Sequence, residues 1–385
     1  MSIRNFKIQI PDEQLKDLSS RLKNTKWVNQ MQDNKWKLGT NKHYLHSLVS
    51  YWIESYDWRV QEQKLNQYPQ YKCEIDGVDI HFYHVKGKGK DSLPLILSHG
   101  WPDSFIRYQK IIPLLTDPTS YGGDISDSFD LVIPSLPGFG FSTMPELRGI
   151  NNCMIADLWA KLMIDKLGYS KFGAAGGDMG SGITRYLAQN YSKHLIGIHL
   201  TDVGIIRNIL LSDDSNLSIE EIKYKKTAQH WIANEGAYMS IQSTKPQTLA
   251  YGLSDSPVGL AAWIIEKFYS WSDIEDKFED KFNMDELLNN ILIYWFENSI
   301  GSSIRMYHEN TNTLPPINKI EVPTALALFP KDILLPPKEW VEKNFNIKQW
   351  TEMPRGGHFT AMEEPALFTD DVRKFYRTLR NVKQE

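Results

Sequence analysis

The apolar positions of this chain change their spacing along its length, and each change marks a different kind of element. In the first seventy residues they fall at helical intervals. Pro11-Asp12-Glu13 offers a helix start, and Leu15, Leu18 and Leu22 follow at spacings of three and four. A second helix is expected to carry Leu45, Leu48, Val49, Trp52, Ile53 and Tyr56 on one face. From Tyr71 the period falls to two. Lys72 to Tyr83 alternates on either side of Asp76-Gly77, which predicts a tight hairpin. Short apolar runs then recur between helical stretches: Pro94 to Ser98, Asp130 to Pro134, Phe172 to Ala175, Leu195 to Leu200, Thr324 to Phe329 and Ile347 to Thr351. Strands alternating with helices predict a mostly parallel sheet covered on both faces.

Between Ile205 and Asn310 the alternation stops and only helical patterns remain. Ser218 with Glu221 forms a capping box, Asn283 with Glu286 a second, and Ser256-Pro257 puts a proline in a first helical turn. A helical insertion between strands reads as a cap. It is rich in aromatic residues (Trp231, Tyr238, Trp263, Phe268, Trp271, Trp295), most of them expected to pack its own core. The pattern divides the chain into a helical N-terminal extension (1–70), the first part of an α/β core (71–204), the cap (205–310) and the second part of the core (311–385).

Composition narrows the partners. With 41% apolar and 23% charged residues the chain is globular. A net charge of -4 and the lack of a basic stripe argue against nucleic acid or an anionic membrane as partner. Cys73 and Cys153 cannot build a disulfide framework and fit a reducing compartment. The longest apolar runs, Val258 to Ile265 and Ile291 to Phe296, are too short to span a bilayer. Met1 to Lys7 lacks the apolar stretch of a signal peptide. The expectation is a soluble, cytoplasmic enzyme. The oligomeric state is not readable, and a homodimer is compatible with the sequence.

Chemistry concentrates at Gly176-Gly177-Asp178-Met179-Gly180, between the run ending at Ala175 and a helical stretch from Ser181 to Tyr191. Strand, glycine turn and helix is the setting of a nucleophile elbow. Here the exposed side chain is a carboxylate. A carboxylate that attacks a saturated carbon leaves an ester that water can cleave, whereas a serine would leave an ether. The pattern therefore points to displacement at sp3 carbon followed by ester hydrolysis. The alternative is a tight turn with a solvated aspartate.

A nucleophilic Asp178 needs donors for an oxyanion, a base for water and an acid to orient that base. His99-Gly100-Trp101-Pro102 follows a strand where such a donor loop is expected, so the N–H groups of Trp101 and Met179 are the candidates. His99 itself reads as structural. His358, in Arg355-Gly356-Gly357-His358-Phe359, follows the last strand and is the candidate base. Glu363 and Glu364 are expected to open the next helix, where anions suit the dipole. Asp332, after the strand ending at Phe329, is the candidate acid. Asp202, after Leu200, competes with it, and chain order favours Asp332.

Taken together, five segments resemble the microsomal-type epoxide hydrolases with an N-terminal epoxide-hydrolase domain. They are Ile10-Pro11-Asp12-Glu13 through Thr25-Lys26-Trp27, His99-Gly100-Trp101-Pro102, Gly176 to Ser181, Asp255 to Leu260, and Arg355 to Phe359. The resemblance implies an α/β-hydrolase fold and hydrolysis of an epoxide to a vicinal diol. It also implies two cap tyrosines that hydrogen-bond the epoxide oxygen. Tyr238 and Tyr307 match those positions; by their residues alone they read as packed aromatics. With Trp101 and Met179 they are the expected substrate-contacting residues.

Met179 departs from the family's frequent Trp and alters the pocket floor. Asp103 stands where a glycine is common, which predicts added charge near the entrance. Vertebrate members carry an N-terminal membrane helix that has no counterpart in this sequence. No metal or organic cofactor is implied, since the His-Glu-x-x-His and complete phosphate-loop patterns are absent. Two other readings stay open. A haloalkane dehalogenase shares the aspartate chemistry but needs side-chain N–H donors, often Trp, around a halide. A non-catalytic binding protein of this fold would have lost one of the three candidate residues.

Overall fold

In the computed structural model, residues 2–29, 35–143, 149–204, 206–275, 277–316 and 318–380 are described. Among the described residues nine strands form a single sheet: β1 (Arg4–Phe6), β2 (Gln70–Ile75), β3 (Val78–Val85), β4 (Leu93–Ser98), β5 (Phe129–Pro134), β6 (Phe172–Gly176), β7 (Leu195–Leu200), β8 (Ile320–Leu328) and β9 (Phe345–Glu352). Their spatial order is β1-β2-β3-β5-β4-β6-β7-β8-β9. The first three pairings are antiparallel and the other five parallel. β5, β4 and β6 bury nearly every residue, as strands covered by helices on both faces must. The β2–β3 hairpin closes at Ile75↔Val78, with Asp76 and Gly77 both at positive φ, the backbone twist that a two-residue hairpin turn demands.

The extension carries helices Asp12–Lys23, Lys42–Glu54 and Trp58–Leu65. They lie against the cap helices Pro257–Ser270 and Met284–Phe296. Polar bonds fasten that contact. The Tyr51 hydroxyl and the Gln61 amide donate to the two oxygens of Asp285, each at 2.7 Å, and the Tyr56 hydroxyl donates to Asn289 Oδ1 at 2.6 Å. Helices from Ile206–Leu211 to Ile300–Thr313 form the insertion between β7 and β8. Both capping boxes form there, at Ser218/Glu221 and Asn283/Glu286.

Four local expectations need correction. β1 sits in a segment read as helical; three residues are too few to show a period. Ile53 is 41% exposed rather than on the buried face of its helix. Tyr56 lies beyond that helix's end at Glu54. β9 is longer at both ends than the run Ile347 to Thr351. Ile205, the expected start of the cap, lies outside the described residues. Among the described residues no helix is long and apolar enough to cross a membrane.

Candidate active site

The order of the parallel strands reverses at β4, with β5 on one side of it and β6 on the other. Loops leaving the carboxyl ends of β4 and β6 therefore part company and leave a crevice, where open α/β sheets bind ligands. Two of the three glycine-containing loops singled out in the sequence are these.

Asp178 sits on the turn between β6 and the helix Met179–Asn190, with φ 57° and ψ -128°. A non-glycine residue there carries about 1–3 kcal/mol of strain, so its surroundings must hold it. Its own N–H donates to Asp202 Oδ2 at 2.5 Å. A β-carbon on Gly180 would come within 1.9 Å of the Ser98 carbonyl oxygen, so only glycine lets the helix approach β4 this closely. The Asp178 side chain is held just as firmly. Oδ1 accepts the N–H of Trp101 at 2.9 Å and of Met179 at 2.7 Å, while Oδ2 lies 3.3 Å from His358 Nε2.

The His358 ring is buried, and its Nδ1 lies 2.7 Å from Asp332 Oδ1. That contact places the hydrogen on Nδ1 and turns Nε2 toward Asp178. Burial pushes the imidazole toward its neutral form, but the Asp332 and Asp178 carboxylates outweigh it and raise the pKa to about 10. Asp202 makes no such contact with the ring. It braces the elbow, receiving Asp178 N–H and the Ser181 hydroxyl (2.6 Å), and burial with the nearby Asp332 charge pushes its carboxyl up to about 6.

Tyr238 and Tyr307 come from separate cap helices and meet edge to face, with ring centres 5.8 Å apart. Burial first, then for Tyr307 its partner phenol, and for both the Asp178 charge, hold their pKa values well above the usual 10, so both stay protonated and able to donate. A cavity of about 220 Å³ is bounded by Asp178, His358, Met179 and both tyrosines, with Trp231 and Met239 on its cap side.

Comparison with known proteins identifies the family. The model for the epoxide hydrolase N terminus matches residues 3–108, and the alpha/beta hydrolase fold model matches residues 94–235. A putative epoxide hydrolase of Stigmatella aurantiaca is 42% identical over 98% of this chain and 86% of its own length. Epoxide hydrolase 1 of Sus scrofa is 40% identical over 97% of this chain and 88% of its own length. The chain belongs to the epoxide hydrolase family. Among solved structures, the juvenile hormone epoxide hydrolase of Bombyx mori superposes with a TM-score of 0.88 at 30% identity, covering 100% of this chain and 96% of that one. The Aspergillus niger epoxide hydrolase does so with 0.85 at 28% identity, covering 98% and 97%. Epoxide hydrolases of this family work through a covalent aspartyl intermediate.

Two readings of the site change within this epoxide hydrolase frame, and a third holds in part. Asp103 is not at an entrance: it is 1% exposed, ion-paired with Arg107, and accepts Gly100 N–H at 2.9 Å. Burial opposes its charge, yet the guanidinium holds its carboxyl well below the usual range. The Trp101 indole does not line the cavity but is fully buried, stacked against Tyr238 with ring centres 5.5 Å apart, so only its N–H faces Asp178. Glu363 ends the short helix Thr360–Glu363 rather than opening one, whereas Glu364 stands at the start of the helix Pro365–Arg380 as expected, its carbonyl accepting Phe368 N–H at 3.0 Å. His99 is structural as expected, buried and receiving Leu136 N–H at Nε2.

The sequence reading missed Arg107, which donates to the His358 carbonyl at 2.7 Å, and Trp271, whose ring lies edge-on to His358 at 5.4 Å. An arginine four residues after Asp103 was the only signal for the first. Among the described residues no cluster of three or more His, Cys, Asp or Glu is placed to hold a metal ion.

Proposed function

We propose that Asp178 opens a compact, apolar or aromatic epoxide by attacking a ring carbon, and that His358 then directs water at the resulting ester. The observation that carries this is the double grip on Asp178: Oδ1 on two backbone N–H groups and Oδ2 free to face both the cavity and the imidazole. Tyr238 and Tyr307 donate to the epoxide oxygen as its charge develops. Asp332 orients the imidazole. Trp101 and Met179 N–H groups stabilise the oxyanion when water adds to the ester.

The charges balance through a full cycle. In the resting site one imidazolium lies between two carboxylates. Attack converts Asp178 to a neutral ester, which removes one of the anions holding the imidazole proton. The opened alkoxide gains a proton and the imidazole loses one. The neutral imidazole then takes one proton of the attacking water, the other passes to the departing alkoxide, and ester cleavage restores the Asp178 carboxylate.

A cavity near 220 Å³ is smaller than the roughly 300 Å³ at which pockets begin to hold drug-sized ligands. Its apolar side, formed by Met179, Val203, Trp231, Met239, Ile333 and Leu334, suits a phenyl or short alkyl substituent. A cytoplasmic setting belongs to the same reading, supported by two unpaired cysteines. The test is a panel running from styrene-oxide-like to long aliphatic epoxides, followed for diol. Turnover is expected to favour the compact members. No diol from any epoxide, or halide release from haloalkanes instead, would overturn the reading.

A further inference from the structure

The loop that carries His358 offers four consecutive backbone N–H groups, and none of them is bonded within the loop. Gly356 N–H donates to Asp273 Oδ2 at 2.8 Å, Gly357 to Glu363 Oε2 at 3.0 Å, His358 to the Trp271 carbonyl at 2.8 Å and Phe359 to Glu363 Oε1 at 2.9 Å. Glu363 Oε2 accepts one more, from Asp273 N–H at 2.8 Å. The loop thus hangs from two carboxylates and one carbonyl, and the segment Trp271 to Asp273 that supplies two of those acceptors belongs to the cap. Both carboxylates are buried, Asp273 5% and Glu363 8% exposed. Burial pushes the Glu363 carboxyl up to about 7 against the pull of its three N–H donors. Trp271 closes the link by touching Tyr238 (ring centres 5.2 Å apart) as well as His358.

We propose that Glu363 is a positioning residue for His358, and that with Asp273 it ties the base loop to the cap so that ester hydrolysis, rather than ester formation, depends on this latch. The proposal rests on the reading of Asp178 as nucleophile and His358 as base. Its logic is geometric. Attack by Asp178 uses the elbow, the β4 loop and the tyrosines, and none of these is bonded to Glu363. Water attack uses the imidazole, whose two flanking N–H groups, Gly357 and Phe359, are the ones Glu363 holds. A buried carboxylate offers two acceptor oxygens to three donors. The glutamine amide keeps the volume but offers one oxygen and places an NH₂ against an N–H.

The test is single-turnover kinetics with intact-protein mass spectrometry, on the full chain with styrene oxide as probe. E363Q is expected to form the Asp178 adduct within about twofold of the wild-type rate. It should cleave that adduct about tenfold to hundredfold more slowly, the scale on which a small misplacement of a reacting group is felt. D273N, which weakens only the Gly356 anchor, should shift the same ratio in the same direction and keeps the test decisive if E363Q fails to fold. E364Q is the control, because Glu364 pairs with Lys281 and Arg355 and touches none of the four N–H groups; its ratio should match wild type. Equal slowing of both phases, or an unchanged hydrolysis phase in the folded variants, would overturn the proposal. Absence of adduct even in H358Q would take down the underlying reading and the latch with it, whereas adduct in H358Q alongside a wild-type ratio in E363Q defeats the latch alone.

Discussion

The elbow after β6 and the histidine loop after β9 meet at 3.3 Å across the site, yet they are fixed in opposite ways. The elbow is held by what lies next to it. Strand β4 and the loops after β4 and β7 supply Ser98, Trp101 and Asp202, and a glycine at position 180 permits the close approach. The histidine loop is held from several parts of the chain: Asp332 after β8, Trp271 and Asp273 from the cap, Arg107 beyond β4 and Glu363 just past the loop itself. One site therefore joins a half held by the sheet and its loops to a half held in part by the cap. Damage to the first should stop the reaction at its start, and damage to the second should stop it midway.

Removing the central residue of each half separates them most sharply. Asp178→Asn and His358→Gln should each reduce turnover by about 10⁴-fold or more, by analogy with loss of a triad member. Only His358→Gln should accumulate a covalent adduct in intact-protein mass spectra. Adduct in both variants, or in neither, would erase the distinction between the halves.

The two acids sharpen it. Asp332→Asn should slow ester hydrolysis by up to about 10⁴-fold, because the imidazole loses its orienting partner. Asp202→Asn should act on the other half. It weakens the acceptor for the Asp178 N–H and the Ser181 hydroxyl, so alkylation and thermal stability should fall by about 1–3 kcal/mol, the cost of a buried donor left poorly paired. If Asp202→Asn instead arrests the ester, the acid roles are reversed.

The same division explains what was legible in the chain. Strand runs, the Asp76-Gly77 hairpin, both capping boxes and the glycine-flanked Asp178 all appear in short windows, since the forces that set them act between near neighbours. The aspartate elbow could be read because the residues of its turn, with φ near 57° at Asp178, fall within one short window. Asp103, Glu363 and Trp271 could not. An acidic residue beside a loop looks solvated until a buried guanidinium or a row of N–H groups is placed against it by the fold. β1 was missed for a related reason, because a three-residue edge strand owes its existence to its partner β2.

A smaller effect is expected in the cap. Tyr238→Phe and Tyr307→Phe each remove one donor to the leaving oxygen, and by analogy with an oxyanion donor the loss is at most about 3 kcal/mol. Each should lie below that limit while the other phenol remains. Stopped-flow alkylation should slow in both variants with ester hydrolysis unchanged, since the tyrosines contact neither His358 nor Asp332 by hydrogen bond. Unaltered alkylation in both would return them to simple packing.

A separate effect falls on stability. The imidazole of His358 is held above its usual value of 6.5, up to about 10, by two carboxylates. A raised cationic group stabilises the fold fully below pH 6.5 and loses that contribution as pH rises toward 10. The melting temperature of the wild type should therefore fall relative to His358→Gln across that window. Parallel curves would mean that the resting imidazole is neutral.

The central claim is that the carboxylate of Asp178, not solvent, supplies the first oxygen to the substrate. A single turnover in ¹⁸O-water with enzyme in excess tests it directly. The account predicts mostly unlabelled diol, with the label left in the protein and mapped to the peptide containing Asp178. Fully labelled diol in that first turnover, with no label at Asp178, would contradict it even if the protein proves to hydrolyse epoxides.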